Sequence, residues 1–538
     1  ALYANTTGTQ NVAVGANALD ANTTAHNNTS VGYVSLSANT EGFSNTAVGS
    51  HALKENTTGD YLVGLGINAL RNNTTADNNV GVGRDTLFAN STGANNIAVG
   101  ALALDANTTA DNNTAVGVHA LGANTTGSDN NAVGANALES NTTGTLNNAF
   151  GRQALKSNTT GTTNTAVGHA ALFDNVSGSS NTAIGSSSLG NNTASNNTAV
   201  GRDALNANTS AAHNTAVGKD VLKLNTTGQQ NTAVGSSALD ANTTADHNTA
   251  VGFVALGDNT TGASNTAIGD RALYFNTTAS NNTAVGKSAL NVNTTGAQNT
   301  SLGTSALGAN TTGVYNTAMG YQALDACTTQ SFNVAIGSGA LGASNQSANT
   351  AIGHNAAHNA SSAANLVCIG TDAGNAITSG GSNTIVGRNA GTTITTGSNN
   401  SFLGAGAGSG ASNSTSNEVI LGNSSISTLR CQVQTINGLS DRRDKTAIED
   451  LIIGLDFINT LKPRKFTWAM REPSANDGKT QTGFIAQELQ ESVGENEYLN
   501  LVDSYNDETL HSNMGNLMPM VVKAIQELSV KVTALEVG

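Results

Sequence analysis

The sequence predicts an all-β parallel β-solenoid, or β-roll, of 17-residue repeats, followed by a small α+β domain that ends in a coiled-coil helix. Three observations predict it. A glycine-marked phrase returns every 17 residues; the composition is poor in large side chains; and the composition changes abruptly near Ser440.

The repeat comes first. The glycine of Asn-Thr-Ala-Val-Gly recurs from Gly15 through Gly32, Gly49 and Gly66 to Gly422. It gives 25 markers and 24 intervals, of which 21 are 17 residues, two are 16 and one is 18. A fixed period of this length marks a solenoid, in which each unit stacks on its neighbours. The residue before each marker is apolar in all 25 units, and the residue four after it is Leu in the first 20, from Leu19 to Leu341. These two columns are expected to form the core. The marker glycine and the Gly of the Asn-Thr-Thr-Gly phrase suit turns of positive φ. Asn stands seven residues after the marker in the first 18 units and four before it in 22 of the 25. Stacked Asn side chains can bond to their copies above and below, so the many Asn-x-Thr sequons are expected to be by-products of a ladder rather than glycan sites. No proline occurs in residues 1–439, as a nearly complete inter-coil ladder requires.

Ala357, Gly374, Gly391 and Gly408 replace the core Leu late in the series. Residues 1–345 therefore read as a regular shaft, 346–430 as variant repeats with a narrowed core, and 431–439 as a linker. At about 4.8 Å per coil, 24 intervals predict a rod on the order of 115 Å. The chain opens in the second half of a unit, Asn5-Thr6-Thr7-Gly8, so a preceding anchor segment is expected.

Composition narrows the function. Of 538 residues, 38% are hydrophobic and 4% aromatic, and 60 are glycine, far from ordinary globular usage. A net charge of -14 argues against nucleic acid or an anionic membrane as partner, and no stretch is apolar enough to span a bilayer. Cys327, Cys368 and Cys431 offer neither a disulfide framework nor metal-ligand spacing. No metal or other cofactor is expected. The phrase Asn181-Thr-Ala-Ile-Gly185 resembles the head repeats of YadA-like trimeric adhesins, parallel β-rolls in which three chains pack side by side.

Residues 440–538 form a different domain, with 26 of the 58 charged residues, all three prolines and the only tryptophan, Trp468. Met518, Val521, Ile525, Leu528, Val532 and Leu535 are spaced 3, 4, 3, 4 and 3, one stripe of a helix suited to a short coiled coil. The alternative is an amphipathic helix packed on its own domain. Three phrases in order resemble the C-terminal intramolecular chaperone of phage tailspikes, tail fibres and endosialidases: Ser440 to Trp468, Gly483 to Leu489, and Leu517 to Leu528. Met514 departs from the aromatic residue usual in that family. The resemblance implies a homotrimeric chaperone that cuts itself off by serine chemistry, with Ser440 as nucleophile and Lys445 as base. Cleavage would fall between Leu439 and Ser440, with Asp441 and Arg443 in support. Lys can serve as a base when burial or a nearby cation lowers its pKa.

The leading expectation is thus a structural and adhesive fibre, the shaft of a phage tail fibre, on a virion or extracellular surface. A cell-surface receptor or glycan would be its external partner. The alternatives are a bacterial surface trimeric adhesin or matrix protein and a polysaccharide-degrading tailspike. Any enzymatic activity would be a single-turnover self-cleavage without external substrate. The near-invariant register leaves no long loops for a cleft, and aromatics such as Tyr33, Phe150 and Tyr321 form no sugar-stacking column.

Overall fold

The computed structural model describes residues 1–426, 428–430, 440–469, 478–506 and 509–537. They form a parallel β-solenoid followed by a small helix-and-sheet region with a terminal helix. The chain divides into two compact units, Ala1–Phe332 and Asn333–Gly538.

The first unit holds 19 three-residue strands, β1 (Val12–Val14) to β19 (Thr317–Met319), each paired in parallel with the next. The coil that begins at Thr46 shows how the repeat becomes a coil. Thr46, Ala47 and Val48 lie opposite Val63, Gly64 and Leu65. Beyond the strand the ladder continues around the coil: Leu53 N–H donates to Ala69 O at 2.9 Å, Thr57 to Thr74 O at 2.9 Å, and Gly66 back to Val48 O at 2.8 Å. Nearly every backbone group is thus spent on the neighbouring coil, which leaves no place for proline.

Three non-glycine residues per coil adopt left-handed backbone. In this coil they are His51, the core Leu53 and Tyr61, with φ of 59°, 51° and 54°. The core Leu of every coil of this unit does the same, Leu19 at 53° and Leu324 at 54° among them. Such a residue costs about 1–2 kcal/mol, which the full burial of a Leu side chain, worth about 1.5–3 kcal/mol, offsets. Stacking therefore holds a backbone that a lone coil would not keep. Gly49, at φ 136°, sits where a Cβ would lie 2.4 Å from the Gly66 carbonyl oxygen, so only glycine fits. The Gly of Asn-Thr-Thr-Gly is different from expectation. Gly42 and Gly59 have no positive φ, and Ala25, Ala76 and Ala110 share their column.

One expected core column is not in the core. Ala47 is fully buried and Val48 is 40% exposed. The same alternation holds along the unit: the middle residue of each strand from β2 (Thr29–Val31) onward is buried, and the apolar residue before the marker faces out. Successive strand residues point to opposite faces. The interior has room for one Leu and two small residues per coil, here Leu53, Ala47 and Ala52.

Two Asn columns complete the interior. Asn56 Nδ2 donates to Asn39 Oδ1 at 2.9 Å and to Gly59 O at 3.0 Å, and Asn56 Oδ1 accepts from Asn73 at 3.0 Å. Asn45 donates to Gly59 O at 2.8 Å, while its oxygen accepts from Leu62 N–H at 2.9 Å. From Asn22 and Asn28 to Asn310 and Asn316 both columns are buried. Most of their amides are engaged, Asn113 Nδ2, Asn175 Oδ1 and Asn310 Oδ1 being the buried exceptions among the described residues, so their sequons offer no side chain for a glycan on a folded coil.

The second unit begins with six further strands, β20 (Val334–Ile336) to β25 (Val419–Leu421). Where Leu gives way to Gly374, Gly391 and Gly408, the bulk moves to other columns: Cys368, Ile385 and Phe402 in the strands, Ile377 and Ile394 where Asn stood. A Cβ on Gly391 would meet Ile385 Cδ1 at 2.7 Å, and one on Gly408 the Phe402 ring at 2.5 Å.

The C-terminal region follows. Helix α1 (Leu455–Thr460) precedes an antiparallel pair, β26 (Arg464–Thr467) and β27 (Thr480–Gly483). Helix α2 (Ala486–Val493), a second antiparallel pair, β28 (Val502–Asn506) and β29 (Thr509–Ser512), and the long α3 (Met518–Val537) complete it. Val493, Leu499, Leu501, Leu517 and Met520 form its core, with Phe457, Phe484 and Val521 packed against them.

Candidate functional site

Two features of the C-terminal region bear on the chemistry and assembly expected from the sequence. The first is the segment from Ser440. Asp441 caps a single 3-10 turn, Arg442–Asp444, by accepting the Arg443 N–H at 2.8 Å, and its carboxylate also pairs with the Arg443 guanidinium at 2.5 Å. Arg443 thereby holds the Asp441 carboxyl below its ordinary range, and Asp441 raises Arg443 in turn. The turn closes on Lys445, whose N–H donates to Arg442 O. That reversal carries the Lys445 side chain back to Ser440, where Nζ donates to Oγ at 2.5 Å.

The four residues singled out in the sequence therefore form two adjacent pairs, Ser440–Lys445 and Asp441–Arg443. Ser440, Arg443 and Lys445 are exposed, and Asp441 is half-buried. A Lys in this place can take the serine proton only as a neutral amine, a form that burial favours. Leu439, the other side of the expected cleavage point, Cys431 and the whole 431–439 segment lie outside the described residues.

The second feature is α3. Its front half docks on its own region: Met520 and Ala524 are buried and Val521 packs on the core. Met518, Ile525, Leu528, Val532 and Leu535 are exposed. The heptad stripe is thus uncovered except at Val521. Sequence reasoning missed Glu527, which lies beside this stripe. Its Oε2 accepts the Leu455 N–H at 2.8 Å and ties α3 to the start of α1. A Cβ on Gly454 would meet that carboxylate at 2.6 Å, so the glycine before Leu455 is the signal that could have found the contact. Arg464 and Glu488 form a further exposed ion pair at 2.5 Å, which lowers the Glu488 carboxyl.

Residues 440–497 match the family model for the chaperone of endosialidase. The match starts at Ser440 and covers α1, the first antiparallel pair and α2, while α3 lies beyond it. No curated protein and no solved structure matches the chain. A parallel β-solenoid joined to a region that matches this chaperone is the build of a tail-fibre-like or tailspike-like protein.

On the solenoid, a shallow depression of about 570 Å³ lies over Gly122, between Asp105, His119, Glu139 and Lys156. Glu139 is engaged with Lys156 at 3.6 Å, and burial holds the Asp105 carboxyl above its ordinary range. Among the described residues no group of His, Cys, Asp and Glu is arranged to hold a metal ion, and no helix is long and apolar enough to cross a membrane.

Proposed function

We propose that this chain is a structural and adhesive fibre subunit, the shaft of a phage tail fibre, built as a homotrimer by its C-terminal region. That region then cuts itself off between Leu439 and Ser440, leaving the shaft on the virion. The observation that carries this reading is the heptad face of α3, apolar and uncovered over most of its length in a single chain. Such a stripe on a helix is covered in water by other helices of its kind.

The need for an assembly device follows from the coils themselves. A slip of 17 residues restores the same columns, so near-identical coils of adjacent chains can meet out of step at little local cost. A trimer formed first at the C-terminal helices sets the register, and the coils close from there. Ser440 Oγ attacks the Leu439 carbonyl carbon while Lys445, as a neutral amine, takes the hydroxyl proton. The Leu439–Ser440 C–N bond then breaks as that proton passes to the Ser440 nitrogen. Water hydrolyses the resulting ester, and the released shaft persists through slow unfolding.

Intact mass and sedimentation of the recombinant chain test this. The expected species is residues 1–439 in threes, with Ser440→Ala and Lys445→Ala leaving the full-length chain. A wild type that stays uncut would remove the cleavage step, and a monomer would remove the fibre reading.

A further inference from the structure

The column before the marker glycine poses a physical problem in the first unit. From Val14 to Met319 it presents 19 consecutive apolar residues, each half-exposed or exposed and none buried. The strand residue two positions earlier shares that outer face; it is mostly Thr, as at Thr46 and Thr215, and carries no charge in any coil of the unit. The two columns make an unbroken strip along the parallel sheet. At roughly 50 Å² of apolar surface per coil, the strip exposes on the order of 1,000 Å², against the few hundred usual for one patch on a monomer.

We infer that this Thr–Val strip of the sheet is the surface along which copies of this chain pack in the fibre. The inference rests on the homotrimer reading and says which face closes it. A partner that covers the strip must offer an apolar ridge with the coil repeat of about 4.8 Å, and the same column of a second copy is such a ridge. With no charge in either column, like faces meet without repulsion. The area matches the roughly 800 Å² per partner of a stable association. Chains joined at their C-terminal helices run in the same direction, so the copies are related by rotation about an axis along the coil stack. The strip also accounts for a pattern that core packing does not: the column is apolar in all 25 coils although it faces outward. It forms a core between chains.

Thiol labelling of the full chain tests the assignment, in a Cys431→Ser background in which Cys327 and Cys368 are buried. Val217 is 36% exposed in one chain, and Thr227 is exposed on another side of the coil. Val217→Cys is expected to react with a maleimide at least about tenfold more slowly than Thr227→Cys in the native assembly, and equally fast in denaturant. The pair Val217→Lys and Val234→Lys is expected to lower the unfolding temperature of the shaft, while Thr227→Lys with Thr244→Lys leaves it unchanged. Equal labelling at 217 and 227 in a wild-type-sized trimer would overturn the face and leave the trimer standing. A monomeric parent chain would overturn the homotrimer reading and the face with it.

Discussion

Replacing Asn242 by Asp changes one atom in the middle of a buried ladder. In the wild type, Asn242 Nδ2 donates to Asn225 Oδ1 at 2.7 Å and to Ala245 O at 3.1 Å, and its oxygen accepts from Asn259 at 3.1 Å. The residue is fully buried. An ionised carboxylate in the Asn242→Asp chain would leave an oxygen facing two acceptors, at a cost of about 3–5 kcal/mol. The protonated acid restores one of the two donated bonds and leaves one acceptor unpaired, about 1–3 kcal/mol. The fold therefore favours the neutral acid and raises the new carboxyl above its unfolded value of about 3.9. A difference of roughly 2 kcal/mol corresponds to about 1.5 units. For a raised acid the penalty is greatest at high pH and eases as pH falls, here between about pH 5.5 and 4. Hydrogen exchange of the coils around residue 242 is the assay, with Asn242→Ala as an uncharged control. At pH 8 a deficit of about 4 kcal/mol predicts protection lowered by roughly a thousandfold, and part of it returns near pH 4 in the Asp variant alone. If Asp and Ala variants behave alike at both pH values, the ladder is not held by the donated bonds.

Leu239→Ala, in the column of fully buried Leu, is expected to cost about 2–5 kcal/mol, read as lost protection in its own and adjacent coils. Cys368, whose thiol burial pushes up to about 12, and Cys327, at about 11, are expected to resist alkylation at pH 8 until the chain is unfolded. Because each is raised above the unfolded value of about 8.5, neither affects stability below that pH, and both oppose folding above it. Ile525→Asp with Leu528→Asp is expected to abolish assembly while circular dichroism retains the C-terminal helices. Met520→Asp, at a buried position, is expected to unfold that region instead.

Much of this architecture is legible in the repeats, because 25 copies of one unit act as their own comparison. The Leu column and both Asn columns are each fixed by one packing task, and their regularity reads directly as burial. The residue before the marker is equally regular and misleads. Apolarity records that a side chain is covered, without saying whether its own chain covers it. A three-residue strand is also too short for alternation to show which of Ala47 and Val48 points inward. The left-handed Leu is not legible either, since that backbone runs against the residue's own preference and is held by stacking. In the C-terminal region, the proximity of Ser440 and Lys445 was expected from resemblance, and the turn capped by Asp441 supplies its local cause. The tie from Glu527 to Leu455 spans 72 residues, beyond any local pattern.

The coil between Gly185 and Gly201 is one residue shorter than its neighbours, yet Thr182, Ala183 and Ile184 still face Thr198, Ala199 and Val200. The missing residue is absorbed after Asn192, which reaches the Ala194 carbonyl across two residues where Asn175 reaches Gly178 across three. Length is therefore negotiable at that corner and nowhere along the strand. The corner is a natural port for a grafted peptide: a loop spliced there would ride on the outside of the shaft at a chosen height, leaving the coils above and below undisturbed.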